Sequence, residues 1–152
     1  MLAFGFNRLH GTIPPEWSRL SRLELLQLAS NRLSGALPPS MSRLSNLEKI
    51  RVSSNQLTGT IPEGVTKLPQ LETLDVDNNK LSGLIPDFDD QPSLQVLELS
   101  RNNLSGTLSQ SLFGLTSLEV LWLHQNQFTG TLPSEISLLQ DKLELLSAHS
   151  NS

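Results

Sequence analysis

The chain contains no cysteine. That excludes a disulfide framework and any metal site built on thiolates, and it leaves the redox compartment open. Aromatic residues make up only 5% of the 152 residues, so a core must be assembled from aliphatic side chains. No run approaches the ~18 consecutive apolar residues of a membrane-spanning helix. The opening MLAFGF has no basic lead and is followed at once by Asn7 and Arg8, which is not the pattern of a secretory leader. There is no basic excess either. The formal net charge is −4, which argues against a dedicated nucleic-acid binder, since such proteins carry a basic patch or stripe. Catalytic signatures are equally scarce. There is no Gly-x-Ser-x-Gly elbow and no glycine-rich loop ending in Gly-Lys-Ser/Thr, and the carboxylates follow no paired pattern. Neither enzymatic chemistry nor a cofactor is expected.

What is present is repetition, which decides the fold before any local propensity does. The phrase NRLSGALPPS at 31–40 returns as NQLTGTIPEG at 55–64 and NKLSGLIPDF at 79–88. Alignment on its first residue places Asn7, Asn31, Asn55, Asn79, Asn102, Asn126 and Asn151 in register, in steps of 24, 24, 24, 23, 24 and 25 residues. Five whole copies follow: 23–46, 47–70, 71–93, 94–117 and 118–142. They are flanked by a partial copy at 1–22 and another at 143–152. Each copy reads Leu-x-x-Leu-x-Leu-x-x-Asn-x-Leu-x-Gly-x-Ile/Leu-Pro. The second shows it as Leu47, Ile50, Val52, Asn55, Leu57, Gly59, Ile61 and Pro62; the fifth shows it as Leu118, Leu121, Leu123, Asn126, Phe128, Gly130, Leu132 and Pro133.

Each fixed letter has a physical reason. The Leu-x-Leu core alternates with period two, so it is a short strand with one face inward. A strand this short cannot bury that face alone. Stacked copies place the strands side by side, about 4.8 Å apart, in one parallel sheet over a continuous aliphatic core. The Asn falls where the chain turns inward. Its amide has two donor hydrogens and an acceptor oxygen, enough to satisfy backbone groups that a buried turn leaves unpaired at a cost. The Gly permits a bend that a Cβ obstructs, and the Pro, lacking an N–H, ends the strand-like segment. Between corners, apolar pairs three residues apart (Trp17 and Leu20, Met41 and Leu44, Val65 and Leu68, Leu112 and Leu115) suit a short helical or 3₁₀ turn on the outer side. The copy at 71–93 is one residue short and reads DFDDQPS, so its outer turn is expected to be irregular.

The repeat resembles the leucine-rich repeat family, and its Leu-Ser/Thr-Gly-x-Ile/Leu-Pro ending looks like the plant-type class. That ending is carried by Leu33 to Pro38, Leu57 to Pro62, Leu81 to Pro86 and Phe128 to Pro133. Residues 104–109 match apart from Ser109, and Leu9 to Pro14 match apart from His10. The resemblance implies an α/β repeat fold: a curved solenoid with a parallel concave sheet and a second strand segment after each Asn. It implies a non-enzymatic module of a receptor-like kinase or receptor-like protein ectodomain, or of a secreted inhibitor. Such a module binds a peptide, protein or small hormone, with a co-receptor as a further partner and an extracellular or cell-surface location. Members of the family carry Cys-containing end caps, which are absent here, and the chain starts and stops inside repeats. A fragment of a larger protein or a truncated gene product is therefore expected. Alternatives of other classes are a structural spacer with no ligand of its own and an intracellular repeat adaptor.

Residues beside the inward Leu face outward on the sheet. The middle outward column holds Ala3, Gln27, Arg51, Asp75, Glu98, Trp122 and Ser147. The next holds Gly5, Ala29, Ser53, Asp77, Ser100, His124 and His149, and the preceding one holds Met1, Leu25, Lys49, Thr73, Val96, Val120 and Leu145. These columns vary while the core letters stay fixed. Trp122, expected exposed in mid-sheet, is the leading binding candidate, because exposed aromatics are enriched at hot spots. His124, Glu98, Asp75, Asp77 and Arg51 join it as candidate ligand contacts. The competing reading of the four charged residues is cross-strand pairing, worth roughly 0.2–1 kcal/mol per pair. His124 and His149 stand one copy apart without a carboxylate or Cys beside them, which is a poor zinc site. Asp87, Asp89 and Asp90 lack the spacing of a calcium loop and read as solvated loop. Asn103 opens an Asn-Leu-Ser sequon, a candidate glycosylation acceptor wherever the chain is secreted.

Overall fold

The computed structural model describes residues 1–88, 91–131, 133–139 and 142–151. Asp89 and Asp90 of the acidic loop and Leu132 of the fifth ending lie outside the described residues. Among those described, thirteen short strands alternate between two faces. The odd-numbered strands carry the Leu-x-Leu cores: β1 (Leu2–Ala3), β3 (Leu25–Gln27), β5 (Lys49–Arg51), β7 (Thr73–Asp75), β9 (Val96–Glu98), β11 (Val120–Trp122) and β13 (Leu145–Ser147). They form one seven-stranded sheet in chain order, each parallel to the next. The even-numbered strands follow the Asn: β2 (His10–Gly11), β4 (Arg32–Gly35), β6 (Gln56–Leu57), β8 (Ser82–Gly83), β10 (Asn103–Gly106) and β12 (Gln127–Phe128). These make two lateral parallel sheets of three strands each. The chain is a leucine-rich-repeat solenoid, with every coil paired to its neighbours in sequence.

The core lies where the repeat letters put it. Leu47, Ile50, Val52, Leu57 and Ile61 of one coil are buried, as are Leu71, Leu74, Val76 and Leu81 of the next. On the outer side the chain makes 3₁₀ turns at Pro15–Arg19, Pro39–Arg43 and Ser134–Leu139, and single α-turns at α1 (Glu63–Thr66) and α2 (Gln110–Phe113). The prolines preceding the first two are extended (Pro14 ψ 127°, Pro38 ψ 125°) and lead directly into the turn. Their anchors Met41, Leu44, Val65, Leu68, Leu112 and Leu115 are buried. The pair in the first coil differs. Trp17 is half-buried and Leu20 is 43% exposed. The short copy has no helical turn among its described residues. Phe88, 2% exposed, fills the space instead. Thr66 Oγ1 donates to the Asp87 carbonyl at 2.8 Å, Ser111 Oγ accepts from the Phe88 N–H at 3.2 Å, and Gln91 Nε2 donates to the Leu68 carbonyl at 3.0 Å.

The corner is where most backbone groups are at risk, and it is where the Asn acts. Asn79 Nδ2 donates to the Val76 and Asp77 carbonyls of its own turn, at 3.1 and 3.2 Å, and to the Val52 carbonyl of the preceding coil at 3.1 Å. Its Oδ1 accepts the Leu57 N–H of that preceding coil at 2.9 Å. The same pattern recurs at Asn31, Asn55, Asn102, Asn126 and Asn151, whose Oδ1 atoms accept from Leu9, Leu33, Leu81, Leu104 and Phe128. The Asn7 side chain donates within its own turn, to the Phe4 and Gly5 carbonyls. The residue just before each Asn adopts the left-handed conformation: Phe6, Ser30, Ser54, Asn78, Arg101, Gln125 and Ser150, with φ between 52° and 58°. None is glycine, so each carries a strain of order 1–3 kcal/mol that its surroundings must offset. The offset comes from hydrogen bonds on both sides of the strained residue. At the Asn78 corner, the Asn78 N–H donates to the Ser100 carbonyl at 3.0 Å and the Asn79 N–H to the Arg101 carbonyl at 3.1 Å.

The repeat glycine has a second job. Gly35 sits at φ +75°, and a Cβ there would lie 2.8 Å from Thr12 Cγ2; at Gly83, φ +82°, a Cβ would lie 3.0 Å from Thr60 Cγ2. The side chain that follows one Gly therefore rests in the gap left by the next coil's Gly, which locks the lateral sheets together.

Replacing Asn79 with Ala orphans buried carbonyls and one buried N–H at once. A loss of 1–3 kcal/mol is expected, the cost of buried groups left unsatisfied, measured by urea unfolding. Asn7→Ala, without an inter-coil bond to lose, is expected to cost clearly less. A change at Asn79 of only a few tenths, or equal costs at the two sites, would contradict the ladder.

Candidate functional site

The parallel register sets the candidate residues side by side. Gln27, Arg51, Asp75, Glu98, Trp122 and Ser147 are direct partners across β3, β5, β7, β9, β11 and β13. Neighbours in such a row stand about 4.8 Å apart. Ser53, Asp77, Ser100, His124 and His149 form the next row, just past the strand ends, where the chain enters the corner. The six candidate contacts named from the sequence thus fall on one continuous face.

Their geometry differs from expectation in three ways. Trp122 is half-buried, where alternation alone expects it free. Its ring lies 6.2 Å from that of His124, tilted by 56°, so the neighbouring row covers part of the indole. His124 and His149 stack, with ring centroids 4.8 Å apart and planes 15° from parallel. Ser100 Oγ and Ser147 Oγ both lie within hydrogen-bond reach of His124 Nδ1, at 2.9 and 3.1 Å. Burial pushes the His124 pKa down, and the neighbouring His149 pushes it the same way, which favours the neutral ring. Third, the expected pairing of Arg51 with the acidic row does not form: Arg51 is exposed, and no ion pair joins it to Asp75 among the described residues.

The pairing falls instead to Arg101 and Glu72, which the columns did not single out, each joined to a column residue. Arg101 binds Asp77 with both edges of its fork, Nε donating at 3.0 Å to Oδ1 and a terminal nitrogen to Oδ2. Asp77 is 5% exposed. Arg101 occupies the left-handed corner position, and that backbone turn carries its side chain back over the preceding coil. Lys49 and Glu72 make a second, half-exposed pair at 3.3 Å. No outward-column argument reaches Arg101 from sequence, because its direction depends on a positive φ.

The carboxylates are crowded. Burial raises the Asp75 pKa, opposed by the Ser53 hydroxyl, which donates at 2.5 Å, and by the Asp77 N–H at 3.2 Å. Glu98 is pushed up from 4.5 to about 7, first by burial and then by Asp75 and Asp77, with Arg51 and Arg101 pulling the other way. Among the described residues its carboxylate has no hydrogen bond or ion pair. Nor does any group of three or more His, Cys, Asp or Glu among them offer a metal site. The site is therefore a surface of contacts: an indole, two stacked imidazoles, a carboxylate without a protein partner among the described residues and a neutralised acid–guanidinium pair.

The raised Glu98 pKa makes stability depend on pH. Between 4.5 and about 7 the folded state holds this proton and the unfolded state does not. Stability from this group therefore falls as pH rises through that window and levels off above it. Glu98→Gln is expected to remove that slope and to raise the melting temperature most at pH 8. Melting curves from pH 5 to 8 check it, and a wild-type-to-variant difference that stays constant across the range would contradict the crowding.

Residues 21–81, 45–104 and 69–128 each match the leucine rich repeat family. Comparison with curated proteins gives no match. Among solved structures, the chain is similar to a TDR receptor, with 36% identity and a TM-score of 0.95 over 99% of this chain and 26% of that one. It is similar to the Arabidopsis receptor kinase HAESA, solved in complex with the peptide hormone IDA and the co-receptor SERK1, with 33% identity and a TM-score of 0.94 over 99% of this chain and 25% of that one. It is also similar to the ectodomain of the membrane receptor kinase GASSHO1/SCHENGEN3 from Arabidopsis thaliana, solved in complex with CASPARIAN STRIP INTEGRITY FACTOR 2, with 34% identity and a TM-score of 0.88 over 96% of this chain and 18% of that one. The chain thus spans about a quarter or less of these three chains. With its repeat letters, coil geometry and family match in agreement, the chain belongs to the leucine rich repeat family, in its plant-type class.

Proposed function

We propose that this solenoid is a non-enzymatic recognition module that holds a peptide or protein ligand on its concave sheet, within a receptor-like protein at the cell surface or a secreted one. The observation that carries the reading is the row Asp75–Glu98–Trp122 with the stacked His124 and His149 beside it. The inward columns repeat Leu, Ile and Val coil after coil, whereas this stretch of the outward columns concentrates an indole, two imidazoles and an unpaired carboxylate. The indole has no role in the buried core: it sits on the face opposite Leu121 and Leu123, which are buried. The likeness to receptors solved with peptide hormones supports the same reading. The extracellular assignment draws on that likeness and on Asn103, which is exposed at the start of β10 with its sequon on the lateral sheet.

Trp122→Ala is expected to change folding stability by under about 1 kcal/mol, as for a surface substitution, while weakening peptide binding at least about tenfold, the behaviour of a hot-spot aromatic. Peptides selected from a random displayed library on the wild-type chain serve as the probe, with thermal melts run in parallel. A structural spacer without a ligand of its own would yield no peptides that depend on Trp122. A large loss of melting temperature would assign the indole to the core.

For the glycan, the chain secreted from plant cells is expected to lose the mass of one N-glycan on enzymatic deglycosylation, and Asn103→Gln to show no such loss. Equal mass before and after treatment of the wild type would overturn it.

A further inference from the structure

We infer that the Glu98–Trp122 pair is a receptor for a cationic side chain, lysine or arginine, of the bound peptide. The inference rests on the recognition reading above and adds the chemistry of the ligand.

Glu98 and Trp122 are direct partners on β9 and β11, on the same outward face. One offers a carboxylate and the other the rim and face of an indole, with neighbouring strands about 4.8 Å apart. A side chain that satisfies both must carry positive charge, for the ion pair, and a flat or aliphatic body, for the ring. A cation over tryptophan gains from the ring quadrupole, more so where water is partly excluded, and Trp122 is half-buried already. Arginine adds a planar fork that pairs with carboxylate and stacks on aromatic faces.

Among the described residues, no cation is paired with Glu98. The Arg101 guanidinium is committed to Asp77 through two nitrogens. Arg51 lies two strands from Glu98 in the register, roughly 9–10 Å away at the usual strand spacing, and its side chain is exposed. Lys49 is paired with Glu72. On the other flank, His124 stacks on His149, and burial favours the neutral form of the His124 ring. An arriving cation therefore meets a Glu98 that has no ion-pair partner among the described residues, and relieves the mutual repulsion of Asp75, Asp77 and Glu98. An anionic side chain in the same place adds to that repulsion. A neutral apolar one gains from the indole but leaves the carboxylate unsatisfied.

The test uses the displayed random-peptide selection on the whole chain, counter-selected on Trp122→Ala. Peptides that depend on Trp122 are expected to share a Lys or Arg. Synthetic versions carrying citrulline for arginine, or norleucine for lysine, are expected to bind at least tenfold more weakly to wild type. On Glu98→Gln, a near-isosteric change whose folding is followed by its melting curve, charged and neutral versions are expected to bind within about twofold of each other. Trp122-dependent peptides that need no Lys or Arg would overturn the inference while leaving the recognition module standing. So would an unchanged preference for charge on Glu98→Gln. Failure to find any Trp122-dependent peptide would bring down both.

Discussion

The structure depends on one side-chain amide repeated along the chain. Each ladder Asn after the first closes its own corner and at the same time bonds a carbonyl and an N–H of the coil before it. That makes it a corner fastener and an inter-coil fastener in one residue. No other side chain of its size offers two donor hydrogens and an acceptor oxygen in a fixed plane. Asp lacks the donors, and Ser is too short to reach two carbonyls and a neighbouring coil. The left-handed residue that precedes each Asn is tolerated because hydrogen bonds on both flanks hold it there. The aliphatic core stacks in the register that these corner bonds share.

This division of labour frees the outward face. Core, corner and lateral glycine positions are committed to stacking, so their chemistry repeats. The concave columns carry none of that burden, and their residues differ from coil to coil. The register of the parallel sheet converts a step of about 24 residues along the sequence into neighbours one strand apart. A patch assembled this way is rigid, because each contributor sits on or beside a strand pinned at the corner. Crowding of Asp75, Asp77 and Glu98 is the electrostatic result: the fold brings three carboxylates together and supplies one committed guanidinium.

Much of this was legible in the sequence because repetition averages out local ambiguity. The coil boundaries, the inward Leu and Val, the Asn corners and the identity of the concave columns all follow from period and alternation. What escaped follows from directions that no pattern encodes. Arg101 reaches Asp77 because its backbone is left-handed, which its residue type does not announce. The stacking of His124 on His149 and the cover over Trp122 depend on side-chain rotamers rather than on column. Arg51 was expected to pair with the acidic row, but Ser53 and the Asp77 N–H already satisfy Asp75. The packing of Thr12 and Thr60 against the following glycines appears only once the coils are stacked. Leu20 was read as an anchor from its spacing, yet in the first coil it stays 43% exposed.

The most direct test of the ladder is hydrogen exchange at the side-chain amides of the Asn residues, followed by nuclear magnetic resonance. The account predicts that the Nδ2 hydrogens of Asn79, Asn102 and Asn126, which are buried and shared between coils, exchange as slowly as the backbone N–H groups of the core strands. Those of Asn7, exposed and bonded only within its own turn, should exchange far faster. Uniformly fast exchange at all seven would mean that the corners open independently of the core, and the ladder would not be what holds the coils in register.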